Sequence, residues 1–273
     1  MKRRTTELTV VITTRMVAFK QVKDGNLDHD WEDGAGYSQL DPRSGRARCV
    51  VLDGASQAFG AIRWVSQLVD SFVGRTADGP QRVDTNHVME WLSRMQQVWA
   101  QNAPTSSSIY ARRRLEEGSF ATMLLCEIDG LRTAPSWTAA ALGDTVLFHV
   151  RGGRLLTHFP SLELTGFGRR PHGVHTLPER LNKMRDRLHV THGNLKLGDQ
   201  LYIATDAVAE WILRTCEHSG PRLWRELDSL SHPEAFTRLI ADRRTAGDLK
   251  NDDATLLRVN ISSGGPDSLR IAQ

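Results

Sequence analysis

Arg48-Cys49-Val50-Val51-Leu52-Asp53-Gly54-Ala55-Ser56 is an apolar run that stops on an acid and a glycine. Three apolar residues in succession suit a strand covered on both faces, because a strand with one wet face would alternate. Asp53 leaves the strand end, where a carboxylate can reach a cleft, and Gly54 lets other backbone come close. Asp-Gly is equally a common turn pair, so its weight depends on whether other segments supply partners for Asp53. A helix follows over 57–75, with Phe59, Ile62, Val65, Leu68, Val69 and Phe72 on one face.

Upstream, Thr9-Val10-Val11-Ile12-Thr13-Thr14 is rich in β-branched residues and predicts one or two strands over 8–22. Residues 23–37 then read as a turn-rich loop carrying Asp24, Asp28, Asp30, Glu32 and Asp33. That many carboxylates repel one another unless a cation sits among them. Asp41-Pro42-Arg43-Ser44-Gly45 turns the chain back into the Asp53 strand. Downstream, 83–101 predicts a second amphipathic helix whose tryptophans fill core, and 110–117 a short charged helix. Strands follow over 118–128, 137–142, 145–150 and 155–158, with Gly143-Asp144 between the middle two and a hairpin at Gly152-Gly153. This antiparallel pattern predicts stacked sheets in place of a βαβ series.

From 160 to 198 the pattern dissolves into Pro, Gly, His and Arg, a surface excursion with one short amphipathic piece at 181–188. Order returns in an apolar strand ending on Asp206, then a helix over 208–216 with Glu210 one turn on. Two further helices fit 221–230 and 233–244, and Asp252-Asp253 precedes a closing strand. Residues 262–273 read as a flexible polar tail.

The chain has 273 residues, 40% hydrophobic and 25% charged, enough to bury a core in one or two domains. A net charge of +3 argues against a dedicated nucleic-acid binder. Cys49, Cys126 and Cys216 read as reduced core residues of a cytoplasmic protein, without metal-ligand spacing. No secretory leader or membrane-spanning run is legible, so no membrane partner is expected.

Asp33, Asp53, Asp206 and Asp252 all lie at margins of predicted strands, with Asp144 at an interruption between two more. Taken singly, each reads as readily as a turn or cap residue. Jointly they suggest a ring of carboxylates at one edge of a β-sandwich. Oxygen ligands without a Cys/His cluster select hard ions such as Mg²⁺ or Mn²⁺. Two such ions can activate water and clamp a phosphoryl group for in-line attack.

The ordered set resembles the metal-dependent PPM-type (type 2C-like) serine/threonine protein phosphatases in their bacterial form, over about residues 8–261. Trp31-Glu32-Asp33-Gly34-Ala35 is similar to the first acidic motif and Asp53-Gly54-Ala55-Ser56 to the Asp-Gly motif. Gly118-Ser119-Phe120-Ala121-Thr122 resembles the Gly-Ser-Thr-type strand start and Leu142-Gly143-Asp144-Thr145 the Gly-Asp motif. Ala204-Thr205-Asp206-Ala207 and Asp252-Asp253-Ala254-Thr255 resemble the two closing motifs. The resemblance implies an α+β fold, a central antiparallel β-sandwich flanked by helices on both sides in αββα layers. It implies one domain over 1–261, with 160–198 as a flap beside the active site.

The resemblance also assigns roles. Asp53 would bridge two metals as the central catalytic ligand, and the Gly54 carbonyl would ligate one of them. Asp206 and Asp252 would complete one ion's shell, and Asp33 would act near the other, directly or through water. Asp144 and Glu210 would hold a third, weaker ion. The implied activity is hydrolysis of phosphoserine and phosphothreonine in phosphorylated proteins, opposing a cognate Ser/Thr kinase in bacterial signalling. The family often places a phosphate-gripping Arg shortly before the first acidic motif. Residues 26–30 contain none, which leaves the grip unassigned among Arg15, Lys20, Arg46 and Arg48. The His of the eukaryotic-type Asp-Gly-His-Gly-Gly motif is also absent, and His29 stays outside the catalytic set. Two alternatives accompany this reading: a catalytically weak or inactive PPM-fold binding module, and a phosphatase of a small phosphoester.

Overall fold

Of the β-branched segment near the N-terminus, Ile12 to Thr14 open one strand, β1 (Ile12–Gln21), with 8–11 outside the described residues, and the apolar runs beyond it form most of the others. These are β2 (Gly34–Tyr37), β3 (Ala47–Gly54), β4 (Phe120–Asp129), β5 (Ser136–Leu142), β6 (Val146–Arg151) and β7 (Arg154–Phe159). The remainder are β8 (Val174–His175), β9 (His189–Asn194), β10 (Gln200–Ala204) and β11 (Ala254–Ser263). The helices are α1 (Ala61–Phe72), α2 (Thr85–Asn102), α3 (Leu181–Arg185), α4 (Asp206–Asp228) and α5 (Pro233–Thr245). This computed structural model describes residues 12–38, 45–56, 58, 60–74, 79–102, 116–131, 134–167 and 172–263. Phe59, the hairpin at 41–44, most of the predicted 110–117 helix and the tail from 264 lie outside the described residues.

Two antiparallel sheets stack face to face. One runs β1-β11-β10-β6-β7; the other runs β2-β3-β4-β5-β9, with β8 added against β4. The parity of β3 explains its unbroken apolar run. Cys49 and Val51 face the opposite sheet, while Val50 and Leu52 face the helices outside. Both faces are dry, so neither parity can be polar.

The same division produces the layers. Between the sheets lie Leu124, Cys126, Trp137, Leu147, Ile203 and Leu257. Outside the β2-β3-β4-β5-β9 sheet, Trp64, Leu68 and Phe72 of α1 and Trp91 of α2 pack on Leu52 and Met123. Outside the β1-β11-β10-β6-β7 sheet, Trp211 and Trp224 of α4 and Phe236 of α5 pack on Phe19, Phe148 and Tyr202. Removing any of these fully buried indoles costs on the order of 3–5 kcal/mol. The helix-sheet-sheet-helix arrangement matches the expected fold class.

Several details differ from expectation. Gly34-Ala35-Gly36-Tyr37, read as loop, is the edge strand β2. A side chain at Gly34 would meet the Val65 side chain at 2.2 Å, so only glycine lets this edge lie against α1. Part of the 160–198 excursion is ordered as well, since β9 pairs along β5 from Ser136 to Ala141. On α1, Ile62 is 43% exposed and Trp64 holds the buried position instead. The helices expected at 208–216 and 221–230 are one element, α4, bent where Ser219 leaves helical geometry two residues before Pro221.

Candidate metal centre

Register brings the acidic segments to one end of the sandwich. β1 pairs with β11 so that Gln21 faces Ala254, and Ala204 of β10 faces Leu256 from the other side. The segment leaving β1, the start of α4 and the entry to β11 therefore emerge together. In the second sheet Asp53 faces Thr122 at the matching end of β3. A Cβ on Gly54 would lie 2.4 Å from the Glu32 carbonyl oxygen, so glycine is what lets the end of β3 reach the first acidic segment.

Short polar ties fix this convergence. Thr205 occupies the N-cap of α4, yet its side chain does not cap the helix. Its hydroxyl donates to Asp33 Oδ2 at 3.0 Å and accepts from the Thr255 N–H at 3.0 Å. The Thr255 hydroxyl also donates to Asp33 Oδ2, at 2.7 Å, and accepts from Trp31 Nε1 at 3.2 Å. The Asp253 carboxylate accepts the backbone N–H groups of Lys23 at 2.9 Å and Glu32 at 2.7 Å. Arg244 Nη1 donates to the Val22 carbonyl and to Asp24, which binds the 22–32 segment to α5.

Asp33, Asp53, Asp144, Asp206 and Asp252 share one electrostatic field. Burial pushes Asp33 well above the ordinary carboxylate range; the Thr255 hydrogen bond opposes this, and Asp253 and Asp206 add to it. Burial also raises Asp53 strongly, followed by the charges of Asp33, Asp206, Asp144 and Asp252. Asp144 is only 5% exposed, and its Oδ1 has no hydrogen-bond partner. Burial first, and Asp206 second, push it up to about 7. Asp252 is raised by burial and Asp206, against the Asp253 N–H, Lys250 and Lys23. Ionised carboxylates this close resist shared ionisation unless positive charge joins them. Glu210 is paired with Arg214 one turn further along α4.

Two lysines that the motifs did not single out supply positive charge. Lys250 Nζ contacts Asp206 Oδ2 and lies 3.8 Å from Asp252 Oδ2. Lys23 Nζ donates to Glu32 Oε2 at 3.0 Å and to Ser56 Oγ at 3.2 Å, which places it at the rim beside the Asp-Gly turn. Among the expected phosphate-grip candidates, Arg46 and Arg48 lie at the opposite end of β3. They bind Asp129 and Glu127 respectively. Arg15 faces Asn260 far along β1, whereas Lys20 faces Thr255 and lies over the Trp31 ring at 4.7 Å. His29 is an exposed residue of a short 3₁₀ turn, Asp28–Asp30, beside Asp30.

The donor chemistry suits a hard divalent cation. All the converging groups are oxygens, one of them an orphaned buried carboxylate oxygen of Asp144. Among the described residues, however, no three His, Cys, Asp or Glu side chains stand in ready-made ligand geometry. Beyond Asp144 opens a cavity of about 610 Å³, lined by Gly143, Phe159, His172, Arg187 and His189 among others. Residues of the 160–198 stretch thus form part of its wall. Among the described residues no helix is long and apolar enough to cross a membrane.

No protein-family profile and no curated protein sequence matches this chain. Solved structures do. The catalytic domain of the serine/threonine protein phosphatase PstP, in complex with 2 manganese ions, superposes with a TM-score of 0.59 at 15% identity, covering 92% of this chain and 100% of its own. The photosystem II phosphatase PBCP gives 0.59 at 13% identity, over 90% of this chain and 98% of its own. PppA, a regulatory component of the T6SS in Pseudomonas aeruginosa, gives 0.53 at 20% identity, over 91% and 98%. At such identities the likeness is one of fold: the chain has the αββα sandwich of these phosphatases.

Proposed function

We propose that the chain is a PPM-type, divalent-cation-dependent phosphatase of phosphoserine and phosphothreonine in proteins. Residues 1–261 would form its one catalytic domain, whose last strand, β11, runs on to Ser263. The observation that carries this reading is the convergence of Asp33, Asp53, Asp144, Asp206 and Asp252 from separate segments into one mutually repelling group. Maintaining such a group costs stability, which a charge-neutralising ligand offsets. That the fold is shared with a phosphatase solved with manganese supports the choice of cation.

In this reading Asp53 and the Gly54 carbonyl would be the central ligands of the metal centre. Asp206 and Asp252 would help hold one ion, and Asp33, held by Thr205 and Thr255, would help hold the other directly or through water. Asp144 offers its free oxygen to a weaker third site; Glu210 joins it only on releasing Arg214. Bound Mg²⁺ or Mn²⁺ supplies Lewis acidity that activates water and offsets phosphoryl charge. Lys23, anchored by Glu32 and Ser56, provides positive charge at the rim where the motif Arg is absent. The partners are a phosphorylated protein and, in the same pathway, a Ser/Thr kinase.

Phosphate release from a phosphopeptide with Mn²⁺, wild type beside Asp53→Asn, tests the reading. The variant is expected to lose about 10³-fold or more in turnover, the scale seen when a central electrostatic element is removed. A wild-type protein that releases no phosphate from either phosphopeptide or p-nitrophenyl phosphate would refute it.

A further inference from the structure

Lys250 is not one of the expected ligands, yet its ammonium lies among them. It touches Asp206 Oδ2 and lies 3.8 Å from Asp252 Oδ2. Its charge also reaches Asp53 and Asp144. The side chain is one-third exposed, while the Asp206 carboxylate it contacts is 14% exposed, so the lysine approaches from the mouth of the cluster.

The backbone that carries Lys250 is pinned on both sides. Asn251 Oδ1 accepts the Asp24 N–H at 2.7 Å, the Asp252 N–H donates to the Lys250 carbonyl at 3.0 Å, and Arg244 Nη2 holds the Asp252 carbonyl. The ammonium is therefore delivered by a fixed loop through a flexible stem. Four single-bond rotations withdraw it to solvent without moving the ligands.

We infer that Lys250 is a tethered counter-ion of the carboxylate cluster. It neutralises Asp206 and Asp252 in the metal-free protein and must swing out before a divalent cation is held there. This rests on the metal-centre reading above and adds to it. The ammonium and a cation compete for the same carboxylate oxygens, because an Asp206 oxygen facing Nζ at contact distance has no room for an ion.

The test compares Lys250→Met with wild type in two measurements: Mn²⁺ affinity by titration calorimetry and the thermal midpoint of the metal-free protein. The expected signs are opposite, with Mn²⁺ bound about tenfold tighter, about 1.4 kcal/mol, and a lower metal-free midpoint. A general packing defect would weaken both. Lys23→Met is the control for bulk charge, since it removes the same charge nearby but from Glu32 and Ser56. It should change Mn²⁺ affinity by less than about threefold. Equal affinities for Lys250→Met and wild type, or an equal gain in Lys23→Met, would overturn the inference while leaving the metal site standing. Absence of Mn²⁺ binding in every protein would overturn it together with the metal-centre reading. If Lys250→Met does not fold, Lys250→Gln, which keeps a hydrogen bond to Asp206, carries the same comparison.

Discussion

Asp33 concentrates the tension of this site in one residue. Its carboxylate is 4% exposed, and its Oδ2 is reached by the hydroxyls of Thr205 and Thr255. Each threonine has a second bond that fixes the rotor: Thr205 accepts from the Thr255 N–H, and Thr255 accepts from Trp31. Neither hydroxyl can turn away without leaving another buried group unpaired. Thr255→Val keeps the side chain's shape and removes one donor, so it should destabilise the metal-free protein by about 1.5–3 kcal/mol. Denaturant unfolding of wild type and variant measures this, and equal midpoints would mean the bond carries no stability. Thr205→Val should cost as much or more, because its hydroxyl both donates and accepts. The sequence placed Thr205 and Thr255 inside acidic motifs but gave them no task. Their role depends on two strands from distant parts of the chain lying side by side, which no local pattern encodes.

At the scale of elements, strands covered on both faces were legible and edge strands were not. β3 and β4 announce themselves because two dry faces forbid polar residues. β2 is half glycine, and β9, His189-Val190-Thr191-His192-Gly193-Asn194, is polar and mostly exposed. A one-sided edge leaves almost no hydrophobic period to read. The turn entering β10 shows what holds the sheet end away from the site. Asp199, fully buried, accepts from Arg151 Nε at 2.7 Å, His149 Nε2 at 2.8 Å and the Lys196 N–H at 2.8 Å. Burial alone would raise its carboxyl, but the Arg151, His149 and backbone hydrogen bonds outweigh it and hold it below the usual range. A depressed carboxylate contributes stability above its unfolded value, near pH 4, and loses it as pH falls through the folded value. The wild type should therefore weaken in acid below about pH 4 partly through this group. Asp199→Asn should lose about 2–4 kcal/mol at neutral pH, reduced from the fully buried case because Arg151 is one-third exposed, and should show a flatter acid limb. Urea midpoints of both proteins from pH 3 to 7 check the slope and the offset together.

For the whole molecule, the order of the acidic motifs along the chain was readable because each follows a strand, and the sandwich brings strand ends together. What was not readable is the balance of charge at the point of meeting. Lys23 and Lys250 come from segments that look like solvated turns, and only the folded register sets them against Glu32 and Asp206. The assembled end is thus a native state partly opposed to itself: burial and neighbouring charge raise Asp33, Asp53, Asp144 and Asp252, with Asp206 among the charges that raise each of them. A ligand that binds only this arrangement stabilises the fold by mass action, by about 2.7 kcal/mol at a hundredfold excess over Kd. For a protein of this size that corresponds to a rise in thermal midpoint of roughly 5–10 °C. Mn²⁺ should produce that rise in the wild type and EDTA should reverse it, as read by calorimetry or intrinsic fluorescence. Asp53→Asn separates the two contributions. Removing the charge that Asp33, Asp206, Asp144 and Asp252 all oppose should leave the metal-free midpoint equal to or above that of wild type. The same change should abolish the response to Mn²⁺. A variant that is less stable without metal and still shifts with Mn²⁺ would mean that Asp53 is a structural acid and not the centre of the site.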